Sequence, residues 1–304
     1  MKPSVFLAIP FGKFFEHKIA QSYTLVPAEA KGEAEALVTI GALTTGPAEI
    51  DAMPRLRVIA TFGSGYEGVD VEAAKAREIA VANTVGANAA SVADLAVGLL
   101  LASLRHVTAG DRLIRAGEWR GPNPAGLLFA RGLTGRRVGI VGLGAIGQKI
   151  AHRLEGFETE IAYHGRHRRE GVPYRYFGSV LELARWADVL VLAHRADESN
   201  RHMIDAAVLE ALGPDGHVVN ITRGSAIDED ALVAALENRT IAGAGLDVFE
   251  NEPDVREDLR RLPNVVLTPH LGGGTREALG AMADAVIANL DAFFAGKPMP
   301  GAVG

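Results

Sequence analysis

The chain has 304 residues, 48% of them apolar and 22% charged, with a net charge of −6 at pH 7 and no cysteine. That length exceeds what one hydrophobic core serves and points to two domains, while the negative balance leaves no basic footprint for nucleic acid or an anionic membrane surface. Without cysteine, disulfides, thiolate metal sites and thiol nucleophiles are excluded together.

Met1-Lys2-Pro3-Ser4 leads into a short apolar run rather than a long hydrophobic region, so no signal peptide is expected and the expected compartment is the cytoplasm. Residues 5–9 carry a buried-strand pattern that recurs at 37–40, 57–60 and 79–82, with room for helices between. Such alternation predicts a parallel sheet with helices on both faces. Residues 89–105 have helical periodicity but are apolar nearly all round, as in a helix buried between two domains; the run 89–104 carries Asp94 and is too short to span a bilayer. Residues 110–133 are rich in Gly, Pro and Arg around Trp119 and read as a long connection or an arm, whose length suggests packing on a partner subunit.

From Arg137 the alternation restarts, with strands at 138–141, 160–163, 189–193, 218–221, 242–246 and 265–268 and helices at 145–154 and 228–237. Six strands make a complete doubly wound dinucleotide domain. A last helix, 275–294, is expected to return and cover the first domain.

Gly142-Leu143-Gly144-Ala145-Ile146-Gly147 lies where the strand ending at Val141 meets the helix 145–154. A glycine pattern alone is weak in a chain with 35 glycines, but at a strand-to-helix junction it lets backbone approach a pyrophosphate at the helix N-terminus. About 20 positions on, where an acid would hold the adenine ribose of NAD, stands His164, in Tyr163-His164-Gly165-Arg166-His167-Arg168-Arg169. Arg166 with Arg168 or Arg169 suits the 2′-phosphate of NADP through charge-assisted hydrogen bonds; the alternative is a solvated basic loop. NADPH is the predicted cofactor, with NAD left open.

Three further residues fall at strand ends. Arg223, after 218–221, has the fork geometry for a substrate carboxylate, or else pairs with Asp228 or Glu229 at the surface. Glu252 and His270 follow 242–246 and 265–268; a glutamate beside a histidine orients the ring and raises its pKa, which suits the histidine to protonate a developing alkoxide. Singly, Glu252 caps a turn before Pro253 and His270 is a satisfied loop histidine; jointly they converge. Asp247 stands at a fourth such position, as a hydrogen-bond acceptor for a nicotinamide carboxamide or as a turn former. In the first domain, Thr61-Phe62-Gly63-Ser64-Gly65-Tyr66-Glu67-Gly68 offers bare N–H groups to an anion, or is a plain strand-to-helix connection.

Together these residues resemble the D-2-hydroxyacid dehydrogenase family, over almost the whole chain, from Val58-Ile59-Ala60-Thr61 through Val92-Ala93-Asp94-Leu95-Ala96 and the glycine fingerprint to Pro269-His270. The resemblance implies an α/β protein in which a Rossmann dinucleotide-binding domain, expected over 104–279, is inserted into a flavodoxin-like substrate-binding domain made of 1–103 and 280–304, and a homodimer. It implies that Arg223, Glu252 and His270 are catalytic, that Ser64, Gly65 and Tyr66 bind substrate with Arg223 and His270, and that no metal takes part. Cofactor contacts are implied at Gly142, Gly144, Ala145, Ile146, Gly147, His164, Arg166, Arg168, Ile221, Thr222, Arg223, Asp247, His270, Gly272 and Gly273. Tyr163-His164-Gly165-Arg166 and Gly243-Ala244-Gly245-Leu246-Asp247-Val248-Phe249 bring the chain closest to the NADPH-preferring glyoxylate, hydroxypyruvate and hydroxyphenylpyruvate reductases. Ending at Gly304, it is expected to lack the regulatory domain of some phosphoglycerate dehydrogenases.

The expected activity is NADPH-dependent reduction of a small 2-keto acid, hydroxypyruvate or glyoxylate, to the D-2-hydroxy acid. Two alternatives stand beside it: a nucleotide-sensing co-repressor-like protein on the same fold, and an NAD-dependent dehydrogenase of another substrate range.

Overall fold

The computed structural model describes residues 2–122 and 130–303. The chain divides into two compact units, Met1–Asn88 with Gly273–Gly304, and Ala89–Gly272.

The first unit holds strands β1 (Ser4–Leu7), β2 (Thr24–Val26), β3 (Ala36–Thr39), β4 (Val58–Thr61) and β5 (Ala80–Ala82) in one sheet of order β2-β1-β3-β4-β5. All its pairings are parallel, which is the flavodoxin-like order. Alternate residues serve opposite faces. Val38, Val58 and Ala60 join Phe15 and Ile19 of α1 (Lys13–Ala20) and Ala283, Val286 and Leu290 of α11 (Arg276–Phe294). Leu37, Ile59 and Val81 meet Ile50 of α2 (Pro47–Asp51) and Ala74 of α3 (Val71–Ala76). Burial on both faces is why these strands read as unbroken apolar runs.

The second unit holds β6 (Arg137–Val141), β7 (Glu160–His164), β8 (Arg175–Phe177), β9 (Val189–Leu192), β10 (His217–Asn220), β11 (Gly243–Leu246) and β12 (Val265–Leu267), in the order β12-β11-β10-β9-β6-β7-β8. The order reverses between β6 and β9, so the crevice for a ligand lies at the carboxyl end of β6. One face packs on α4 (Ala89–Leu104) and α6 (Ala145–Glu155) through Val138, Ile140, Val189, Val191 and Val219. The other packs on α7 (Val180–Trp186), α8 (Ala206–Leu212) and α9 (Glu229–Glu237) through Leu190, Leu192, Val218 and Leu246. α10 (Glu257–Arg261) lies between β11 and β12 in the chain.

The structure differs from the expectations in five respects. The nucleotide sheet has seven strands rather than six, β8 being a three-residue edge strand, and the first sheet gains the three-residue edge strand β2. The boundary expected at 103/104 falls at 88/89, because α4 packs on α6, β10, β11 and β12; glycines at 243 and 245 let it lie close, with the Cβ positions 3.0 Å from Ser103 Oγ and Leu99 Cβ. The second boundary falls at 272/273 rather than 279/280. The stretch expected to be a connection from residue 110 begins inside a helix, α5 (Val107–Arg115), which follows α4 after a left-handed turn at His106. The remainder of that expected arm, residues 123–129, lies outside the described residues. Among the described residues no single helix is long and apolar enough to cross a membrane.

Candidate active site

The glycine fingerprint joins β6 to α6. Gly142 has φ +96°, and a Cβ there would lie 2.5 Å from the backbone of His194; a Cβ on Gly147 would lie 2.0 Å from the Gly142 carbonyl oxygen. Those two glycines are therefore demanded by the chain itself. Gly144 is different. Nothing lies within 4 Å of its Cβ position, so the chain leaves open the space where a bound pyrophosphate meets backbone. Gly144 is the N-cap of α6, and the N–H groups of the first turn, at Ala145, Ile146 and Gly147, have no intrahelical acceptor. These residues fit a dinucleotide. His194, beyond β9, was not singled out by sequence; its buried ring nitrogens make no hydrogen bond, and burial pushes its pKa down to about 4, so it adds no charge beside the fingerprint.

The basic loop follows β7. His164 Nδ1 lies 3.0 Å from the Phe177 carbonyl oxygen, which ties the ring to β8. The loop is pinned at both ends, by the Tyr176 hydroxyl donating to Gly165 O at 3.2 Å and by Arg169 N–H donating to Tyr163 Oη at 2.7 Å. Between these anchors Arg166 and Arg168 are exposed. Asp197, which sequence reasoning missed, is held below the usual carboxylate range first by the Ser199 hydroxyl and, more weakly, by the charges of Arg195 and Arg166. Asp197 thus stands near the basic loop, which itself runs on into exposed Glu170.

Arg223, Glu252 and His270 come together within the second unit. Buried Asn220, the last residue of β10, shapes the turn: its Oδ1 accepts from Thr222 N–H at 3.0 Å and from the Thr222 hydroxyl at 2.8 Å, while Nδ2 donates to Arg223 O at 2.8 Å. Ile221 and Thr222 are buried in that turn. Arg223 Nη1 donates to Thr222 O at 2.6 Å. Of the acids considered for a surface pairing, Asp228 caps α9, and Glu229 Oε1 accepts from Glu250 N–H at 2.8 Å. Gly224 brings the Arg223 turn against the Glu252 turn, for a Cβ there would lie 1.9 Å from the Phe249 carbonyl carbon.

Glu252 Oε1 accepts from Phe249 N–H at 3.0 Å, and Oε2 lies 2.7 Å from His270 Nδ1. Burial pushes Glu252 up, but the His270 hydrogen bond, the Phe249 N–H and the charges of His270 and Arg223 outweigh it and hold the carboxyl low. The Glu252 hydrogen bond raises His270 above the ordinary histidine value, with burial and the Arg223 charge opposing. The pair stays reachable, the side chains being 43% exposed at His270 and 33% at Glu252.

Asp247 serves the loop that carries His270. It is 1% exposed; Oδ1 accepts from the Thr268 hydroxyl and Leu271 N–H, each at 2.7 Å, Oδ2 accepts from Gly272 N–H at 2.8 Å, and the backbone carbonyl accepts from His270 N–H at 2.9 Å. Of the two roles open to it, the structure displays turn formation.

Ser64, Gly65, Tyr66 and Gly273 belong to the first unit. Thr84 brackets Gly63, its hydroxyl accepting from Gly63 N–H at 2.9 Å and its N–H donating to Gly63 O at 3.1 Å. Ser64 Oγ donates to Asn88 Oδ1 at 3.1 Å, and Asn83 Nδ2 donates to Ser64 O at 2.9 Å. Among the described residues the N–H groups of Ser64 and Gly65 find no acceptor, as an anion-binding loop requires.

A doubly wound nucleotide unit bearing an arginine and a glutamate–histidine pair at its strand ends defines the class: an oxidoreductase. The D-isomer specific 2-hydroxyacid dehydrogenase, NAD binding domain, matches residues 97–272. Hydroxyphenylpyruvate reductase of Plectranthus scutellarioides is 44% identical over 250 residues, 82% of this chain and 79% of that protein. The 2-ketogluconate reductase of Gluconobacter oxydans is 39% identical, over 98% of this chain and 97% of that protein. The crystal structure of the NADPH-dependent glyoxylate/hydroxypyruvate reductase of Sinorhizobium meliloti, in complex with NADP and malonate, superposes with a TM-score of 0.91 at 37% identity, covering 100% of this chain and 97% of that one. The chain belongs to the D-isomer specific 2-hydroxyacid dehydrogenase family.

The pairing is open to direct measurement. In an NMR titration the His270 ring is expected to deprotonate above the ordinary histidine range, and in Glu252→Gln its midpoint is expected to fall; an unmoved midpoint disproves the coupling.

Proposed function

We propose that this protein reduces small 2-keto acids, hydroxypyruvate and glyoxylate foremost, to D-2-hydroxy acids with NADPH. The observation that carries the reading is the 2.7 Å contact of His270 Nδ1 with Glu252, with the Arg223 charge acting on both. Arg223 and the N–H groups of Ser64 and Gly65 hold the substrate carboxylate, and the Arg223 guanidinium polarises the keto oxygen. A dihydronicotinamide dinucleotide, with its pyrophosphate at the first turn of α6 beside Gly144, would supply the hydride. Protonated His270 donates Nδ1–H to Glu252, which leaves Nε2–H for the oxygen that gains charge as the carbonyl is reduced. The alcohol forms, and the imidazole is left neutral for reprotonation from solvent.

The sign of the pH dependence follows. Reduction needs the imidazolium, so kcat/KM stays high below the raised His270 pKa and falls as pH rises through it; oxidation of the hydroxy acid runs the other way. The deciding assay is NADPH consumption with a panel of 2-keto acids across pH. Turnover that declines above the ordinary histidine range is expected, and absence of turnover with every acid favours the nucleotide-sensing alternative.

For the cofactor, Arg166 and Arg168 stand exposed beyond β7, and no acid takes the ribose position. In binding titrations Arg166→Ala is expected to weaken NADPH about tenfold or more while leaving NADH nearly unchanged, the loss of one charge-assisted contact. Equal weakening of both nucleotides sinks the assignment.

The working form is a homodimer. α5 buries none of its residues and leaves Val107 and Ile114 exposed at 56% and 61%, with Trp119 beyond it at 59%; such a face suits a second copy. Light scattering is expected to give a dimer for the wild type and a monomer for Ile114→Asp. A monomeric wild type contradicts this.

A further inference from the structure

The peptide planes of the substrate loop are set from outside it. In a trans peptide the carbonyl and the following N–H point in opposite directions. Gly63 O accepts from Thr84 N–H, so Ser64 N–H faces away from Thr84; Ser64 O accepts from Asn83 Nδ2, so Gly65 N–H faces away from Asn83. Thr84 and Asn83 thus each fix the orientation of one of two consecutive N–H groups.

Asn83 is 4% exposed and is itself locked. Its N–H donates to Gly301 O at 2.9 Å, and its carbonyl accepts from Asn289 Nδ2, on α11, at 3.0 Å. Asn289 Oδ1 in turn accepts from Gly301 N–H at 2.8 Å, closing a buried ring between the end of β5, α11 and the last residues of the chain. Gly301 is needed for that approach, since a Cβ there would lie 1.9 Å from Asn83 O. Swapping the amide of Asn83 would set its oxygen against the Ser64 carbonyl, so the orientation is fixed by the partner.

We propose that Asn83, locked by Asn289 and Gly301, is a positioning residue for the substrate carboxylate: its side-chain amide turns the Ser64–Gly65 peptide so that Gly65 N–H is presented to the acid. This rests on the reading that the Ser64–Gly65 loop binds the carboxylate. It makes the C-terminal stretch, through Asn289, a determinant of keto-acid affinity although neither touches substrate.

The test compares wild type, Asn83→Ala, Asn83→Asp and Asn289→Ala for KM and kcat with hydroxypyruvate, for inhibition by oxalate, and for NADPH affinity by fluorescence. In Asn83→Ala the KM and the oxalate inhibition constant are expected to rise together about tenfold, with kcat and NADPH affinity within about twofold, as the loss of a hydrogen bond used only to hold substrate predicts. Asn83→Asp, which sets a carboxylate against the Ser64 carbonyl, should at alkaline pH raise both constants at least as much. Asn289→Ala, which leaves the Asn83 contact to Ser64 in place, should raise both constants about threefold, and it carries the test if the Asn83 variants do not fold. An unchanged KM in the folded variants, or a KM rise matched by an equal loss of NADPH affinity, overturns the inference. A wild type that reduces no 2-keto acid overturns the activity reading, and this inference with it; a wild type that does so while its variants keep the KM overturns the inference alone.

Discussion

The buried carboxylate of Asp247 is the constraint on which the geometry of the His270 loop hangs. A nearly inaccessible charge is tolerable only when hydrogen-bonded, and Asp247 accepts from Thr268, Leu271 and Gly272, all within five residues of the loop that carries His270. His270 itself sits at φ +52°, a conformation a non-glycine residue holds only when its surroundings over-determine it. The carboxylate holds the Thr268 hydroxyl on one side and the Leu271 and Gly272 N–H groups on the other, and the Asp247 carbonyl takes the His270 N–H. The imidazole is thus aimed at Glu252 by the fold itself.

A parallel sheet makes such convergence cheap to build. β10, β11 and β12 all end on one edge, so Arg223, Glu252 and His270, from three separate strand ends, share that edge without any long excursion of the chain. What remains is to bring the turns into contact. Gly224 does this for the Arg223 and Glu252 turns, and Asn220 fixes the first of them through three hydrogen bonds. The same logic operates in the first unit, where Thr84, Asn83 and Asn88 hold Gly63 and Ser64. In both places short amides and hydroxyls at strand ends do the shaping.

What could be read from sequence follows from what gives a periodic signal. Strands such as Val189–Leu192 and Val58–Thr61, buried on both faces, were legible as apolar runs, and the fingerprint was legible because Gly142 and Gly147 are fixed by backbone contacts that admit no Cβ. β2 and β8 were not, since three residues at a sheet edge carry no alternation. α5 was read as a connection because Gly110 interrupts it and none of its residues is buried. α4 was placed at the boundary because it is apolar all round, a pattern that says it is covered without saying by what. Chemistry at strand ends singles out Arg223, Glu252 and His270, which the structure brings together, whereas nothing in the sequence marks Asn220, Asn83 or Asn289: an asparagine looks alike in sequence whether it caps a turn or braces a loop. Only the partners distinguish them.

Charge around the nucleotide end is arranged more finely than an absent ribose acid implies. His164 occupies the position where that acid would stand, yet its Nδ1 is turned to Phe177 O and its ring stacks on Tyr176 at 20° between planes. The arginines stand beyond it, on a loop whose ends are fixed by Tyr163 and Tyr176. Asp197 opposes part of that charge from the far side of β6, where the chain leaves β9. Arg166, Arg168 and Arg169 outnumber the acids beside them, Asp197 and Glu170, so the loop carries net positive charge. Exposed arginines act through a screened, solvent-facing field, which discriminates between anions by degree rather than by exclusion.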